Sequence, residues 1–313
     1  MTARQTEWQA LILAGGTGSR LYPMTRGSNK HLLPVYDKPM IYYALTTVMF
    51  AGIRQIVLLS TPTAVPQFEQ LLGNGSQWGL AIRYLVQEHP NGISDGLRLA
   101  SDLIAGKNVA VVLGDNIFYG SGLGRLLSRA MALNEGASIF AYEVANPEDF
   151  GVVTVDAAGK PTAIVEKPKT PDSSKAVTGL YLYTPDVVDI VGRLSPSDRG
   201  ELEITDVNRV YLEQRRLKVY TLGRGYAWLD GGTPRNLFDA SEFIRVVEAR
   251  TGLKIGCPEE VAFRMGFISL ERLIALAKKA PTSDYRDYLS SIASQVKSGS
   301  DLGVMTDATD RIE

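Results

Sequence analysis

Short apolar runs rich in β-formers alternate with amphipathic stretches along the first 150 residues, and this alternation constrains the fold more than any other feature of the chain. Residues 10–14, "IVLLS" at 56–60, "VAVVLGD" at 109–115 and "SIFAYEV" at 138–144 read as strands. The middle two are apolar almost throughout, the pattern of strands covered on both faces in a parallel sheet. Amphipathic stretches near 39–52, 64–72, 94–105 and 121–134 lie between them. Strand–helix alternation of this kind implies an α/β fold, a parallel or mixed sheet with helices on both faces.

From about 151 the rhythm changes. Strands at 151–155, 162–166 and 177–183 come closer together, as in hairpins or a subsidiary sheet. A helix over 203–214 and strands over 217–222 and 225–229 follow. Thr233-Pro234 marks a helix start, with a capping hydroxyl and proline at the first helical position. Leu237, Ala240, Ile244 and Val247 then recur at helical spacing. The stretch 258–295 reads as helical throughout, with Ser269 capping "LERLIALAKKA". Residues 296–313 lack periodicity and read as a frayed tail.

Composition narrows the function classes. Thirty-three Lys and Arg against 34 Asp and Glu leave a net charge of -1, without the basic excess of a nucleic-acid binder. One cysteine, Cys257, permits no internal disulfide and no cysteine metal site, and two histidines make a zinc enzyme a poor fit. The polar "MTARQTEWQ" leads into only five apolar residues, too few for a signal peptide. No run approaches the roughly 20 apolar residues of a membrane span. A soluble, cytoplasmic protein is the expectation.

The chemistry concentrates in "LILAGGTGSRLYP", residues 11–23, where an apolar strand runs into Gly15, Gly16, Thr17 and Gly18 and then Arg20. Glycines after a buried strand let backbone N–H groups approach phosphate oxygens, although a tight turn would use them equally well. The spacing matches neither the G-x-G-x-x-G fingerprint of a nicotinamide-dependent oxidoreductase nor a Walker loop. Lys30 follows ten residues after Arg20, and two cations beside such a loop suit a polyphosphate leaving group. Asp115 and Asp230 each end a strand, where α/β sheets bind ligands. Together they could hold a hard dication; separately each could be a turn residue or a helix cap. Lys167 and Gln87 read, on their own, as a solvated turn lysine and a polar strand-end residue.

The stretch 11–44 resembles the signature of sugar-1-phosphate nucleotidyltransferases, and "YDKPMIYYAL" narrows the resemblance to glucose-1-phosphate thymidylyltransferases. It continues in collinear order through "LLGNGSQWGL" (71–80), "VLGDNIFYG" (112–120), "FGVV" (150–153), "EKP" (166–168), "VTGLYLY" (177–183), "RGELEITDVN" (199–208), "GRGYAWLDGGT" (223–233) and "GLKIGCPEEVAFRMGFI" (252–268). The resemblance implies a Rossmann-like mixed central sheet flanked by helices, a subsidiary sugar-binding sheet and a C-terminal helical segment. The core would span 1–250, with a nucleotide-binding part over about 1–150 and a sugar-binding part over about 151–232; the helical segment would span 251–295. It implies Mg²⁺ held by Asp115 and Asp230, with Arg20 and Lys30 as the catalytic cations beside Gly15, Gly16, Thr17 and Gly18. Gln87 and Gly92 match contacts to the pyrimidine base, and a glutamine amide suits the alternating donor and acceptor edge of thymine or uracil. Lys167 and Arg199 match contacts to the sugar phosphate, Glu166 a contact to sugar hydroxyls, and Gly151, Val177 and Gly179 backbone contacts in the sugar site.

The implied reaction takes dTTP and glucose 1-phosphate to dTDP-glucose and pyrophosphate, the first step towards dTDP-rhamnose or other dTDP-deoxysugars. The implied assembly is a homotetramer with a second nucleotide site where a dTDP-sugar inhibits. A uridylyl- or cytidylyltransferase, an enzyme for another sugar 1-phosphate, or a regulator that binds nucleotide sugars without catalysis are the alternatives. Five positions depart from the family pattern. Asn29 and His31 flank Lys30 in place of a serine and a glutamine. Gly231 replaces a threonine after the second aspartate. Ser121 replaces a histidine; it caps the following helix, weakens inhibition, or does both. Asp95 stands near an expected glutamine; it is either a first-turn carboxylate favoured by the helix dipole or an added negative charge facing the nucleotide.

Overall fold

Every residue of the first strand from Gln9 onward is buried, because helices cover both faces of the sheet it centres. This is seen in a computed structural model that describes residues 7–197 and 199–299. The strands in chain order are β1 (Trp8–Ala14), β2 (Pro34–Val35), β3 (Lys38–Pro39), β4 (Gln55–Ser60), β5 (Ala81–Val86), β6 (Asn108–Leu113), β7 (Asn116–Gly120), β8 (Ala137–Glu143), β9 (Gly151–Val155), β10 (Pro161–Glu166), β11 (Lys175–Tyr183), β12 (Leu217–Leu222) and β13 (Tyr226–Asp230). The helices are α1 (Ile41–Phe50), α2 (Val65–Leu72), α3 (Ile93–Leu99), α4 (Ser101–Ile104), α5 (Leu123–Ala132), α6 (Val187–Val191), α7 (Ile204–Glu213), α8 (Pro234–Thr251), α9 (Pro258–Arg264), α10 (Leu270–Lys279) and α11 (Asp284–Ser298).

The main sheet has nine strands in the order β10-β9-β11-β6-β1-β4-β5, with β8 also on β11 and β12 on β8. β1 pairs in parallel with β4 and β6, and β4 with β5, while β11 joins β6 antiparallel. Alternate residues of β1 feed separate cores: Ala10, Ile12 and Ala14 pack with α1 and α5, and Leu11 and Leu13 with α3, α6 and α7. Two covered faces are why an unbroken apolar run, rather than an alternating one, marks these strands.

The strands expected for a subsidiary sheet, β9 and β10, form a hairpin that joins the main sheet through the Ala176–Val152 pair of β11 and β9. Four strands escaped the sequence reading: the two-residue pair β2 and β3, and the longer β5 and β7. β5 lies at the sheet edge and is half-exposed, so its apolar signal is diluted. Among the described residues β7 pairs only with β13, in a ribbon off the main sheet. The helix expected over 94–105 breaks at Ala100 into α3 and α4.

Thr233 and Ser269 cap α8 and α10, accepting from Asn236 N at 3.1 Å and Arg272 N at 3.3 Å. Ser121 does not cap α5: Gly122, at φ +77°, is the capping residue and no side chain accepts there. The stretch 258–295 is three helices rather than one. Gly266, at φ +66°, turns the chain after α9, and Pro281 lies between α10 and α11. α11 continues to Ser298, into the stretch read as a tail, whose residues 300–313 lie outside the described residues. Among the described residues no helix is long and apolar enough to cross a membrane.

Candidate active site

The glycine loop leaves the carboxyl end of β1, between the carboxyl ends of its parallel neighbours β4 and β6. That edge of an α/β sheet is where ligands bind. Gly16 makes room for Lys30, whose Cε would lie 3.1 Å from an added Cβ. Gly18 adopts φ +63°, and a Cβ there would also meet Thr25 Cγ2 at 2.7 Å. Thr17 is exposed within the loop.

Lys30 opens a single 3₁₀ turn that Asn29 organises. Asn29 Oδ1 accepts from His31 N at 2.9 Å, and Asn29 Nδ2 donates to Ala14 O at 3.2 Å, tying the turn to the end of β1. His31 Nδ1 donates to Asn29 Oδ1 at 2.7 Å, since the Asn29 nitrogen is already directed at Ala14. Its ring lies against Gly114, where an added Cβ would sit 2.8 Å from Cδ2. Burial, reinforced by the Lys30 charge, pushes the His31 imidazole down to about 3, so it is neutral at pH 7. Asn29 and His31 therefore support Lys30 and leave it as the charged group of the turn.

The ribbon β7–β13 brings the two aspartates together. Asp230 pairs with Asn116 in the ribbon, and Gly231 N donates to Asp115 O at 2.9 Å. Lys30 is ion-paired with Asp115, and Asn116 Nδ2 donates to Asp115 Oδ1 at 3.0 Å. Burial alone would raise the Asp115 carboxyl; Lys30 and these hydrogen bonds overcome it and hold Asp115 well below the ordinary carboxylate range. Asp230 goes the other way. Burial and the neighbouring Asp115 charge push it up to about 6, against the pull of Lys30 and Arg20. Gly232 leaves the space that Arg20 uses: an added Cβ would lie 2.8 Å from Arg20 Nη2 and 3.0 Å from Asp230 Oδ2. At Gly231 the space of a larger side chain belongs to Met40, whose Cε would lie 2.5 Å from an added Cβ.

Asn116 is one residue that sequence reading missed. Its Oδ1 accepts from Gly179 N at 2.9 Å and Trp228 Nε1 at 2.6 Å, so one buried amide joins Asp115, β11 and β13. A polar residue beginning a buried strand, next to Asp115, was the available signal. Gly179 itself has no room for a side chain, with Asn116 Oδ1 2.6 Å from an added Cβ.

Beyond Gly179 the sugar-side residues gather. Gly151 faces Glu166, Thr205 and the buried Val177, with Glu166 Oε2 3.3 Å from an added Cβ. Thr205 Oγ1, on α7, donates to Glu166 Oε2 at 2.6 Å, a partner the sequence did not suggest. Arg199 reaches Glu166 at 3.6 Å, Glu201 at 3.2 Å and Glu203 at 3.6 Å. Lys167 is exposed, and its backbone holds φ +41°, a left-handed conformation uncommon outside glycine. On the other side of the glycine loop, Gln87 Oε1 would lie 2.8 Å from a Cβ on Gly15. Gly92, at φ +101°, packs against the Leu202 backbone, whose carbonyl oxygen would lie 2.6 Å from an added Cβ. Asp95 faces neither loop nor solvent; it is buried against Gln87 and Arg98.

A family model described as nucleotidyl transferase matches residues 9–246. The chain belongs to the nucleotidyl transferase family. This nucleotidyl transferase is 50% identical over 288 residues to the glucose-1-phosphate thymidylyltransferase of Xanthomonas campestris pv. campestris strain B100, covering 92% of this chain and 98% of that one. It is 53% identical over 281 residues to the glucose-1-phosphate thymidylyltransferase of Mycobacterium tuberculosis H37Rv, covering 90% and 97%. Among solved structures it resembles a Bacillus anthracis protein provisionally assigned as a glucose-1-phosphate thymidylyltransferase and crystallised with sucrose. The TM-score is 0.71 at 39% identity, over 76% of this chain and 95% of that one. A UDP-glucose pyrophosphorylase bound to UDP-glucose shares the fold, with a TM-score of 0.68 at 24% identity, over 77% and 99%. The mixed sheet flanked by helices is thus the fold of this enzyme family.

Proposed function

We propose that this chain transfers dTMP from dTTP to glucose 1-phosphate, releasing dTDP-glucose and pyrophosphate. The observation that carries the reading is the convergence of Arg20, Lys30, Asp115 and Asp230 beside the glycine loop. Backbone N–H groups of Gly15 to Gly18 would hold the triphosphate. Arg20 and Lys30 would neutralise charge that grows on the leaving pyrophosphate. An oxygen of the sugar phosphate forms the new bond to the α-phosphorus, and the bond to the β-phosphate oxygen breaks, its electron pair leaving with pyrophosphate. Lys167 and Arg199 would bring the anionic nucleophile in, with Glu166, held by Thr205, on the sugar hydroxyls. Positioning and charge neutralisation suffice, so no covalent enzyme intermediate is needed.

The donor set fits Mg²⁺. Among the described residues no group of three or more acidic, histidine or cysteine side chains gathers as a closed metal cage. A buried carboxylate, Asp115, and a half-buried one, Asp230, that repel each other remain, and Mg²⁺ favours one or two carboxylates completed by water and substrate phosphates. Asp115 and Asp230 would hold the ion, which would supply charge stabilisation on the phosphates. A homotetramer in the cytoplasm completes the reading, with Phe238 and Val246 on α8, 65% and 45% accessible, as apolar side chains that a subunit contact would cover.

A matrix of dTTP, UTP and dCTP against several sugar 1-phosphates, scored by pyrophosphate release with Mg²⁺, tests the reading. Fastest release with dTTP and glucose 1-phosphate is expected. Fastest release with another pair would reassign the substrates.

A further inference from the structure

Among the described residues the Gln87 amide is anchored at one end only. Gln87 follows β5, its backbone N–H bonds Ser60 O at 2.8 Å, and its side chain is buried. Gln87 Nε2 donates to Asp95 Oδ2 at 2.8 Å and lies 3.5 Å from Gly92 O. Asp95, in the first turn of α3, is 2% exposed, and its other oxygen accepts from Arg98 Nη2 at 2.5 Å. Gln87 Oε1 points the opposite way, to Gly15 of the glycine loop.

A carboxylate oxygen only accepts. An amide reversed end for end would set Gln87 Oε1 against Asp95 Oδ2, two acceptors in a buried place, which costs on the order of the desolvation of an unpaired polar group. Asp95 therefore decides which end of the Gln87 amide faces the nucleotide side. We infer that Asp95, held by Arg98, is a specificity-determining positioning residue: it locks Gln87 with its carbonyl oxygen toward the base, selecting a pyrimidine that carries a donor at N3. Thymine and uracil present that N–H. Cytosine presents a lone pair there and meets a second acceptor. The inference rests on the proposed function and on the base contact that the family resemblance implies for Gln87.

The chain of three side chains makes a directional prediction. In Asp95→Asn, Arg98 keeps the one remaining oxygen, so the new amide nitrogen turns to Gln87 and Gln87 must reverse. Its Nε2 then faces the base and favours cytosine. The ratio of kcat/KM for dTTP over dCTP falls at least about tenfold, with the loss in KM for dTTP, as expected when a hydrogen-bonding edge is mismatched. Adding Arg98→Ala frees the asparagine to turn its oxygen back to Gln87, and the preference recovers. A residue that merely stabilised α3 would not be rescued by losing a second ion-pair partner. Asp95→Ala, which leaves Gln87 free to take both orientations, also lowers the ratio and carries the test should the asparagine variant fold poorly.

The experiment measures wild type, Gln87→Ala, Asp95→Asn, Asp95→Ala and Asp95→Asn/Arg98→Ala with dTTP and dCTP, using glucose 1-phosphate and Mg²⁺. A lowered ratio in the three single variants with recovery in the double variant supports the inference. A wild-type ratio in both Asp95 variants, with a lowered ratio in Gln87→Ala, overturns it while leaving base contact by Gln87 standing. An unchanged ratio in Gln87→Ala overturns both.

Discussion

Asn116 accepts the Gly179 backbone N–H at 2.9 Å while its own amide nitrogen holds Asp115, so one side chain couples a proposed metal ligand to the strand that lines the proposed sugar site. Trp228 Nε1 bonds the same oxygen from the opposite ribbon strand. The Asp115 carboxylate is thus placed by three elements at once: β7, β11 and β13.

Replacing Asn116 by alanine leaves the Gly179 N–H and the Trp228 Nε1–H buried without an acceptor. The expected cost is about 2–4 kcal/mol of stability, because each stranded donor keeps its desolvation penalty. Urea unfolding of the two proteins measures it. A difference below about 1 kcal/mol would mean that water takes over both bonds.

The two aspartates should part company when charge is removed. Asp115→Asn and Asp230→Asn are both expected to lower kcat at least about a hundredfold at saturating Mg²⁺. In metal-free protein, Asp115→Asn destabilises by about 2–4 kcal/mol, because Lys30 loses its partner in a poorly solvated place. Asp230→Asn does not, because it relieves repulsion with Asp115. Equal losses of stability in the two variants would contradict this arrangement.

Gly232→Ala tests the place given to Arg20. The new methyl would press on the guanidinium and on the Asp230 carboxylate. Both are side-chain ends that can move, so stability changes little, but misplacement on the order of 1 Å lowers kcat by about a hundredfold. Pyrophosphate release and a thermal melt, read together, separate this from simple unfolding.

Gly231→Ala meets the Met40 terminal methyl instead, in a fully buried site. Overpacking of this kind costs about 1–3 kcal/mol. Met40→Ala in the same chain should recover part of that loss, with a coupling of about 1–2 kcal/mol in a double-mutant cycle. Additive losses would show that Met40 does not occupy the space.

Asp37 lies in the turn between β2 and β3, ion-paired with Lys38 and Lys254, while Glu248 of α8 bonds the same lysines at 2.9 Å and 3.1 Å. Burial acts to raise the Asp37 carboxyl, but hydrogen bonds from Lys254 and Lys38 outweigh it and hold it below its ordinary value. A depressed carboxyl contributes stability that is present above its unfolded pKa, about 3.9, and is lost as pH falls through the folded value. Asp37→Asn should therefore destabilise at pH 7 and matter progressively less on acidification towards pH 3. Chemical denaturation across that range checks it. A constant difference would show that the pair contributes through packing rather than charge.

The local pattern of the chain determined much of this protein. Unbroken apolar runs marked the strands buried on both faces, and Gly15 to Gly18, Arg20 and Lys30 marked the loop, because burial and backbone freedom are written residue by residue. Thr233 and Ser269 announced their helices, since a cap needs only the next turn. Tertiary structure alone decided what meets across the sheet. Asp115 and Asp230 come together through a ribbon, β7–β13, one of whose strands left no legible period, and Asn116 acquires its role from elements far away in the chain. The half-exposed edge strand β5 escaped notice for a related reason: its stability comes from pairing with β4. Asp95 shows the division most clearly. Its place in the first turn of a helix was readable, but the direction of its carboxylate, toward Gln87 rather than solvent, depends on a side chain from a neighbouring strand end, and non-local pairing of that kind has no signature in sequence period or composition.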